Sequence, residues 1–237
     1  MTLTSKKVLT FDVVGTLVDF EAGVLNYIRS VAGPDAALED AAILECFATA
    51  EDRLHVETPG RNFVDMLPDI YREMAQKLNL PADDTAIAGL RLSITHWPAF
   101  PDSIQAMKDL RKRYHLVAMT NADNWALEQF SNTLEHPFDD KVTAEDAETC
   151  KPDPQVFGFV RGLLAHKGFR MEDYLHVAQS QFHDIGIAKR LGYQVAWIER
   201  RKDQEGYGGS PSVSEDAKPD YHVGSMAELA ALVESES

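Results

Sequence analysis

Short, nearly continuous apolar runs alternate along most of the chain with stretches in which apolar residues recur every three or four positions. The first run is Val8-Leu9-Thr10-Phe11-Asp12-Val13-Val14, ended by Gly15. Leu116-Val117-Ala118-Met119-Thr120, Leu175-His176-Val177-Ala178 and Val195-Ala196-Trp197-Ile198 follow, with a weaker run at Lys141-Val142-Thr143-Ala144. A run that is apolar at almost every position suits a strand buried on both faces, as in a parallel sheet. Helical spacing intervenes at Ile104, Met107 and Leu110 within 101–113. It returns at Val156, Phe157, Val160, Leu163 and Leu164 within 153–166, and at Ile185, Ala188 and Leu191 within 182–191. Asp153-Pro154 reads as an N-cap followed by the first helical residue, and Gly192 as a C-terminal cap. The alternation predicts an α/β fold built on a doubly wound parallel sheet of the Rossmann-like kind.

Residues 20–96 break the alternation. They read as helical throughout, with one stripe at Ile43, Leu44, Phe47 and Leu54 and another at Phe63, Met66, Leu67, Ile70, Met74 and Leu78. A single crossover rarely needs so many residues. The pattern predicts a helical cap domain over 20–96, inserted into a core formed by 1–19 and 97–237. Trp97-Pro98-Ala99-Phe100-Pro101 makes the return. Residues 201–220 read as a polar loop.

The formal net charge of −15 speaks against nucleic acid or an anionic membrane surface as partner, since both would repel the chain. An anionic substrate would therefore need a local cluster of positive groups. The two cysteines, Cys46 and Cys150, have no metal-like spacing and read as reduced thiols. The histidines show no spacing that suits zinc. Asp12 interrupts the N-terminal apolar run, which is unlike a signal peptide, and no uncharged stretch is long enough to span a bilayer. A cytoplasmic protein is expected.

Ligands of a parallel sheet bind at the carboxyl ends of its strands, and four polar features fall at such ends. They are Asp12 before the Gly15-Thr16 turn, Thr120-Asn121, Lys151 in Cys150-Lys151-Pro152-Asp153-Pro154, and Asp184 in Gln179-Ser180-Gln181-Phe182-His183-Asp184. Each alone has an ordinary structural reading, as a satisfied buried acid, a helix cap or a solvated lysine. Together they converge on one crevice with complementary chemistry: acid, hydroxyl and amide, cation, acid.

The order and wording of these segments resemble the four motifs of the haloacid dehalogenase-like superfamily. Phe11-Asp12-Val13-Val14-Gly15-Thr16-Leu17-Val18-Asp19 matches the first, Met119-Thr120-Asn121 the second and Lys151-Pro152-Asp153-Pro154 the third. His176-Val177-Ala178-Gln179-Ser180-Gln181-Phe182-His183-Asp184 matches the fourth, in the form of the type II 2-haloacid dehalogenase branch. The resemblance implies a hydrolase in which Asp12 is a carboxylate nucleophile and Lys151 keeps it ionised. In that reading Thr120 aims the carboxylate by a hydrogen bond. Asn121 donates to a leaving group or substrate carboxylate, and Asp184 orients the hydrolytic water or holds a cation. Ser180 and His183 of the fourth motif are expected to line the substrate pocket. A small-molecule carboxylate is the implied substrate, and a homodimer the implied assembly.

Val14 decides between reactions. Phosphatases of the superfamily carry a second aspartate two residues after the nucleophile, which protonates the departing alkoxide, and Val14 cannot. Gln179 stands where phosphatases commonly have an acid. Mg²⁺ would find only Asp12, Asp184 and the Val14 position, a thin oxygen set. A halide leaves without a proton, so the expected reaction is attack of Asp12 on C2 of a 2-haloacid. Water then hydrolyses the ester to a 2-hydroxyacid, with no metal or organic cofactor. Type II dehalogenases carry a tyrosine where Val14 stands and a cap arginine for the halide. Arg53 is taken for that arginine, with Arg61 as a further candidate. Thr58-Pro59-Gly60 and the stretch from Arg200-Arg201 to Glu205-Gly206-Tyr207-Gly208 resemble azetidine-2-carboxylate hydrolase, which implies ring opening as a second reaction open to this site. The motifs also leave room for a Mg²⁺-dependent phosphatase of the same superfamily and for a catalytically silent binding protein.

Overall fold

The computed structural model describes residues 2–34, 36–58, 60–202, 204 and 208–236. Its strands are β1 (Val8–Phe11), β2 (His115–Thr120), β3 (Asp140–Thr143), β4 (Tyr174–Ala178), β5 (Val195–Ile198) and β6 (Tyr221–Val223). They form one sheet in the order β3-β2-β1-β4-β5-β6, and every pairing is parallel. The chain winds outward from β1 through β2 to β3, then returns to lay β4 against the other side of β1. The switch point therefore lies between β1 and β4, where open α/β sheets present a crevice.

Successive strand residues point to opposite faces, and two apolar layers result. Leu9, Phe11, Leu116, Ala118, Leu175, Val177, Ala196 and Ile198 enter one core. Val8, Val117, Met119, Tyr174, Ala178 and Val195 enter the other. The first is covered by α1 (Phe20–Ala32), α5 (Ser103–Leu110), α6 (Asn124–Thr133) and α10 (Met226–Ser235). The second is covered by α8 (Pro154–His166) and α9 (Gly186–Arg190), with the short α7 (Ala144–Ala147) at its edge. Burial on both faces explains the continuous apolar reading of the strands.

The strands begin and end within a few residues of their expected positions, with one informative difference. β1 stops at Phe11, so Asp12 is the first residue beyond it. Gly15 lies at φ +86°, in the region that favours glycine, and turns the chain back within three residues of Asp12. Asp153 caps α8 through Gln155 N–H with Pro154 at the first helical position, as expected. Gly192, at φ +82°, follows the last turn of α9. The helix expected over 182–191 starts instead as a π-helical turn at Gln181–Ile185. β6 and α10 lie beyond the last apolar run expected to be a strand.

Residues 20–96 contain α1, α2 (Asp40–Glu57), α3 (Phe63–Leu78) and α4 (Asp84–Leu92), with no strand among the described residues. Their apolar stripes share the first core, so this helical layer is fused to the sheet. Trp97 is the junction: its ring lies 6.5 Å from Phe20, 6.1 Å from Phe63 and 6.0 Å from Phe130. Among the described residues no helix is long and apolar enough to cross a membrane.

Candidate active site

The crevice at the carboxyl ends of β1, β2 and β4 is a pocket of about 540 Å³, including its open mouth. Asp12, Val14, Thr120, Asn121, Lys151, Ser180, His183 and Asp184 all line it. Thr120 closes β2, Asp12, Val14 and Asn121 lie just past their strands, Ser180, His183 and Asp184 come from the segment after β4, and Lys151 comes from the turn beyond α7. Of the expected site residues only Arg53 is elsewhere.

Lys151 organises the centre. Its ammonium donates to Asp12 Oδ1 at 3.0 Å and to Asp184 Oδ1 at 2.6 Å, with all three side chains almost wholly buried. Asn121 fixes the lysine's backbone. Its amide donates to Lys151 O at 2.9 Å and its Oδ1 accepts Lys151 N–H at 2.7 Å. Asn121 thus lines the pocket and also clamps the buried peptide at Lys151, whose N–H and carbonyl need partners there.

The residue that aims Asp12 is also different from the one expected. Thr16 Oγ1 donates to Asp12 Oδ2 at 2.5 Å. Thr120 Oγ1 accepts Ala122 N–H at 3.3 Å and makes no bond to Asp12. The tight turn at Gly15 brings Thr16 back over the carboxylate, four residues on, whereas Thr120 arrives from a neighbouring strand. Thr16 is itself held. Its hydroxyl accepts Gln179 N–H at 2.8 Å, and its carbonyl accepts Arg200 Nε–H at 3.0 Å and Nη2–H at 2.8 Å. Arg200 is paired at both Asp102 oxygens, at 2.8 and 3.0 Å. Asp102 also accepts the N–H groups of Met226 and Ala227 that open α10, at 2.6 and 3.1 Å.

Behind Asp184 lies a partner that sequence patterning missed. His176 Nε2 is 2.9 Å from Asp184 Oδ1, and His176 Nδ1 is 2.9 Å from Thr10 Oγ1, all wholly buried. The histidine next to Asp184 in sequence, His183, instead lines the pocket with its Nδ1 3.3 Å from Ser180 Oγ. Its buried Nε2 has no hydrogen-bond partner among the described residues. Burial drops the His183 imidazole to about 3, so it is neutral.

The two acids are driven apart. Burial would raise Asp184, but the Lys151 charge and the His176 bond outweigh it and hold the group at about 2. For Asp12 burial prevails: its carboxyl is raised, with Asp184's charge adding to the effect and Lys151 and Thr16 opposing it. Burial would lower Lys151, yet Asp12 and Asp184 together raise it, so it stays charged. Among the described residues no group of three or more His, Cys, Asp or Glu is placed to hold a metal ion.

Arg53 corrects an expectation. Its guanidinium pairs with Glu57 and Glu73 on the outer side of α2. Arg61 pairs with Asp69 at 2.7 Å. The face of α2 that meets the pocket carries Glu51 and His55 instead, joined by Phe63 of α3. Gly209, Ser210 and Pro211 of the polar loop also line the pocket, and Gly209 N–H is held by Glu21 at 2.9 Å. Pro59 and Glu205-Gly206-Tyr207, part of the resemblance to a ring-opening hydrolase, lie outside the described residues.

A family model for haloacid dehalogenase-like hydrolases matches residues 6–192. The chain belongs to the haloacid dehalogenase-like hydrolase family. A curated relative, (S)-2-haloacid dehalogenase 4A of Burkholderia cepacia, is 25% identical over 138 residues, which is 57% of this chain and 55% of that protein. The match thus spans little more than half of that relative's length. A defluorinating L-2-haloacid dehalogenase has a TM-score of 0.80 at 16% identity, over 98% of both chains. The L-2-haloacid dehalogenase of Xanthobacter autotrophicus with chloropropionic acid covalently bound has a TM-score of 0.75 at 18% identity, over 98% of this chain and 100% of that one. At such identities the structural likeness concerns the fold.

Proposed function

We propose that the protein hydrolyses small 2-substituted carboxylic acids, with a 2-haloacid as substrate and a 2-hydroxyacid as product. Residues 20–96 act as the cap that closes the pocket. Asp12 attacks C2, the carbon–halogen bond breaks, and halide leaves with the electron pair. Water then adds to the Asp12 ester carbonyl. The ester C–O bond on the enzyme side breaks, and the product keeps the former Asp12 oxygen. In this reading Asp184, which lines the pocket, orients that water, and the proton of the water ends on the departing oxygen of the product.

One observation carries the reading: a buried Asp12, held by Thr16 and Lys151, faces a pocket in which the position two residues on is Val14. A departing alkoxide would find no acid there, whereas halide needs none. The same donor set argues against magnesium. The Lys151 ammonium fills the space between Asp12 and Asp184, and Val14 offers no side-chain oxygen. Halide release from (S)-2-chloropropionate is expected to proceed unchanged in EDTA, with no turnover of p-nitrophenyl phosphate in the presence of Mg²⁺. Phosphate-ester hydrolysis that EDTA abolishes, with no halide release, would sink this reading.

The pH profile follows from Asp12. Attack needs the ionised carboxylate, so activity is present above the Asp12 pKa and is lost as pH falls through it. Because that pKa is raised by burial, the acid limb of kcat/KM should begin above the ordinary aspartate value of about 3.9. A flat kcat/KM down to about pH 4 would contradict the assignment.

A further inference from the structure

Thr10 and His176 are polar residues inside strands that are otherwise apolar. They stand in register across β1 and β4. The residues two places away on the same faces, Val8, Tyr174 and Ala178, enter the core beneath α8 and α9. His176 is wholly buried and packs edge-on against the Phe157 ring, 5.6 Å away. It lies outside the lining of the pocket. A buried imidazole costs stability unless its nitrogens are satisfied, and here both are. Nδ1 meets Thr10 Oγ1 and Nε2 meets Asp184 Oδ1, each at 2.9 Å.

Asp184 is held at about 2, so at neutral pH its oxygens only accept, and His176 Nε2 must carry the hydrogen of that bond. Asp184 Oδ1 thus takes two donors, Lys151 from the pocket and His176 from the sheet behind it. Its Oδ2 has no partner among the described residues. The two tethers fare differently as the reaction proceeds. Forming the Asp12 ester consumes one of the two charges that hold the Lys151 ammonium between them. The His176 bond involves no reacting group, and its ring is fixed on the far side by Thr10 and Phe157.

We infer that His176 is a positioning residue for the second half-reaction, keeping Asp184 in place to orient the hydrolytic water once Asp12 has become an ester. The inference rests on the proposed function, which supplies the ester and gives Asp184 that task. His176 itself gains and loses no proton in the step.

The test separates the half-reactions on the full chain. Rapid-quench halide release from (S)-2-chloropropionate follows the first, and the mass of the intact chain shows any ester that builds up. His176→Leu should release its first halide at close to the wild-type rate. It should then hydrolyse the ester about tenfold to a hundredfold more slowly, so that the ester accumulates on Asp12. His176→Gln, whose amide can still donate to Asp184, should restore most of the hydrolysis. A role in packing alone would slow neither step or both together. The inference is overturned if the leucine variant hydrolyses the ester at the wild-type rate, if it loses both steps equally, or if glutamine does no better than leucine. Should His176→Leu fail to fold, Thr10→Val removes the donor at Nδ1 with little change in volume. It should give a smaller accumulation of ester, and none would overturn the inference. A wild-type chain that releases no halide overturns the proposed function and this inference with it. Halide release by the wild type, without ester accumulation in the variants, removes the His176 assignment alone.

Discussion

Asp12→Asn should abolish turnover, with a loss of about 10⁴-fold or more, because an amide cannot form the ester through which both half-reactions pass. The same change should leave the fold intact. Burial and the nearby Asp184 already disfavour the Asp12 charge, and asparagine keeps an oxygen for the Lys151 ammonium while its NH2 can donate to Thr16 Oγ1. An unfolding midpoint equal to or above that of the wild type is expected by thermal denaturation. Single turnover in ¹⁸O-water gives a sharper readout. Hydrolysis at the enzyme's ester carbonyl places the label in the peptide containing Asp12 and leaves the first product unlabelled. Label in the first product instead would show that water attacks the substrate directly.

The second large effect should come from Lys151→Met. Methionine fills much of the same volume but leaves Asp12 and Asp184 buried together with no cation between them. Breaking a buried ion pair by removing one partner costs about 3–5 kcal/mol, and here two acids lose the same partner. Denaturant unfolding should show a loss of that size, and activity should fall with it. Ionising Asp12 beside an uncompensated Asp184 becomes harder, so the acid limb of any remaining activity should move to higher pH. A variant with wild-type stability would mean that Lys151 does not carry the charge balance described.

Much of the site was legible because strand ends are legible. Asp12, Thr120, Asn121, Ser180 and Asp184 close or follow apolar runs, and a parallel sheet gathers the residues at those ends whatever their spacing in sequence, while Lys151 reaches them from the turn beyond α7. The helical wall was harder, since a helix presents one face and hides the other. At about 100° per residue, Arg53 is about 200° from both Glu51 and His55. A helix that turns the latter pair to the pocket must point Arg53 outward. A signal was present: Ile43 and Phe47 continue at intervals of four to Glu51 and His55, so an acid and a histidine extend a buried stripe. His176 was concealed inside a strand run, where its polarity looked like an interruption and its partner Asp184 lay eight residues on. Thr16 was visible in the first motif, but only the turn at Gly15 reveals that its hydroxyl folds back onto Asp12. The sixth strand, β6, has only three residues at the sheet edge, none of them buried, too short to announce itself.

The bonds that run from Asp12 through Thr16 and Arg200 to Asp102 end on the first amides of α10, the final helix of the chain. A peripheral helix and the reacting carboxylate are thereby parts of a single tethered frame. Fraying of α10, or a substitution of Asp102, should loosen the aim of Asp12 without touching the pocket. Changes well away from any substrate can thus set how firmly the attacking group is aimed.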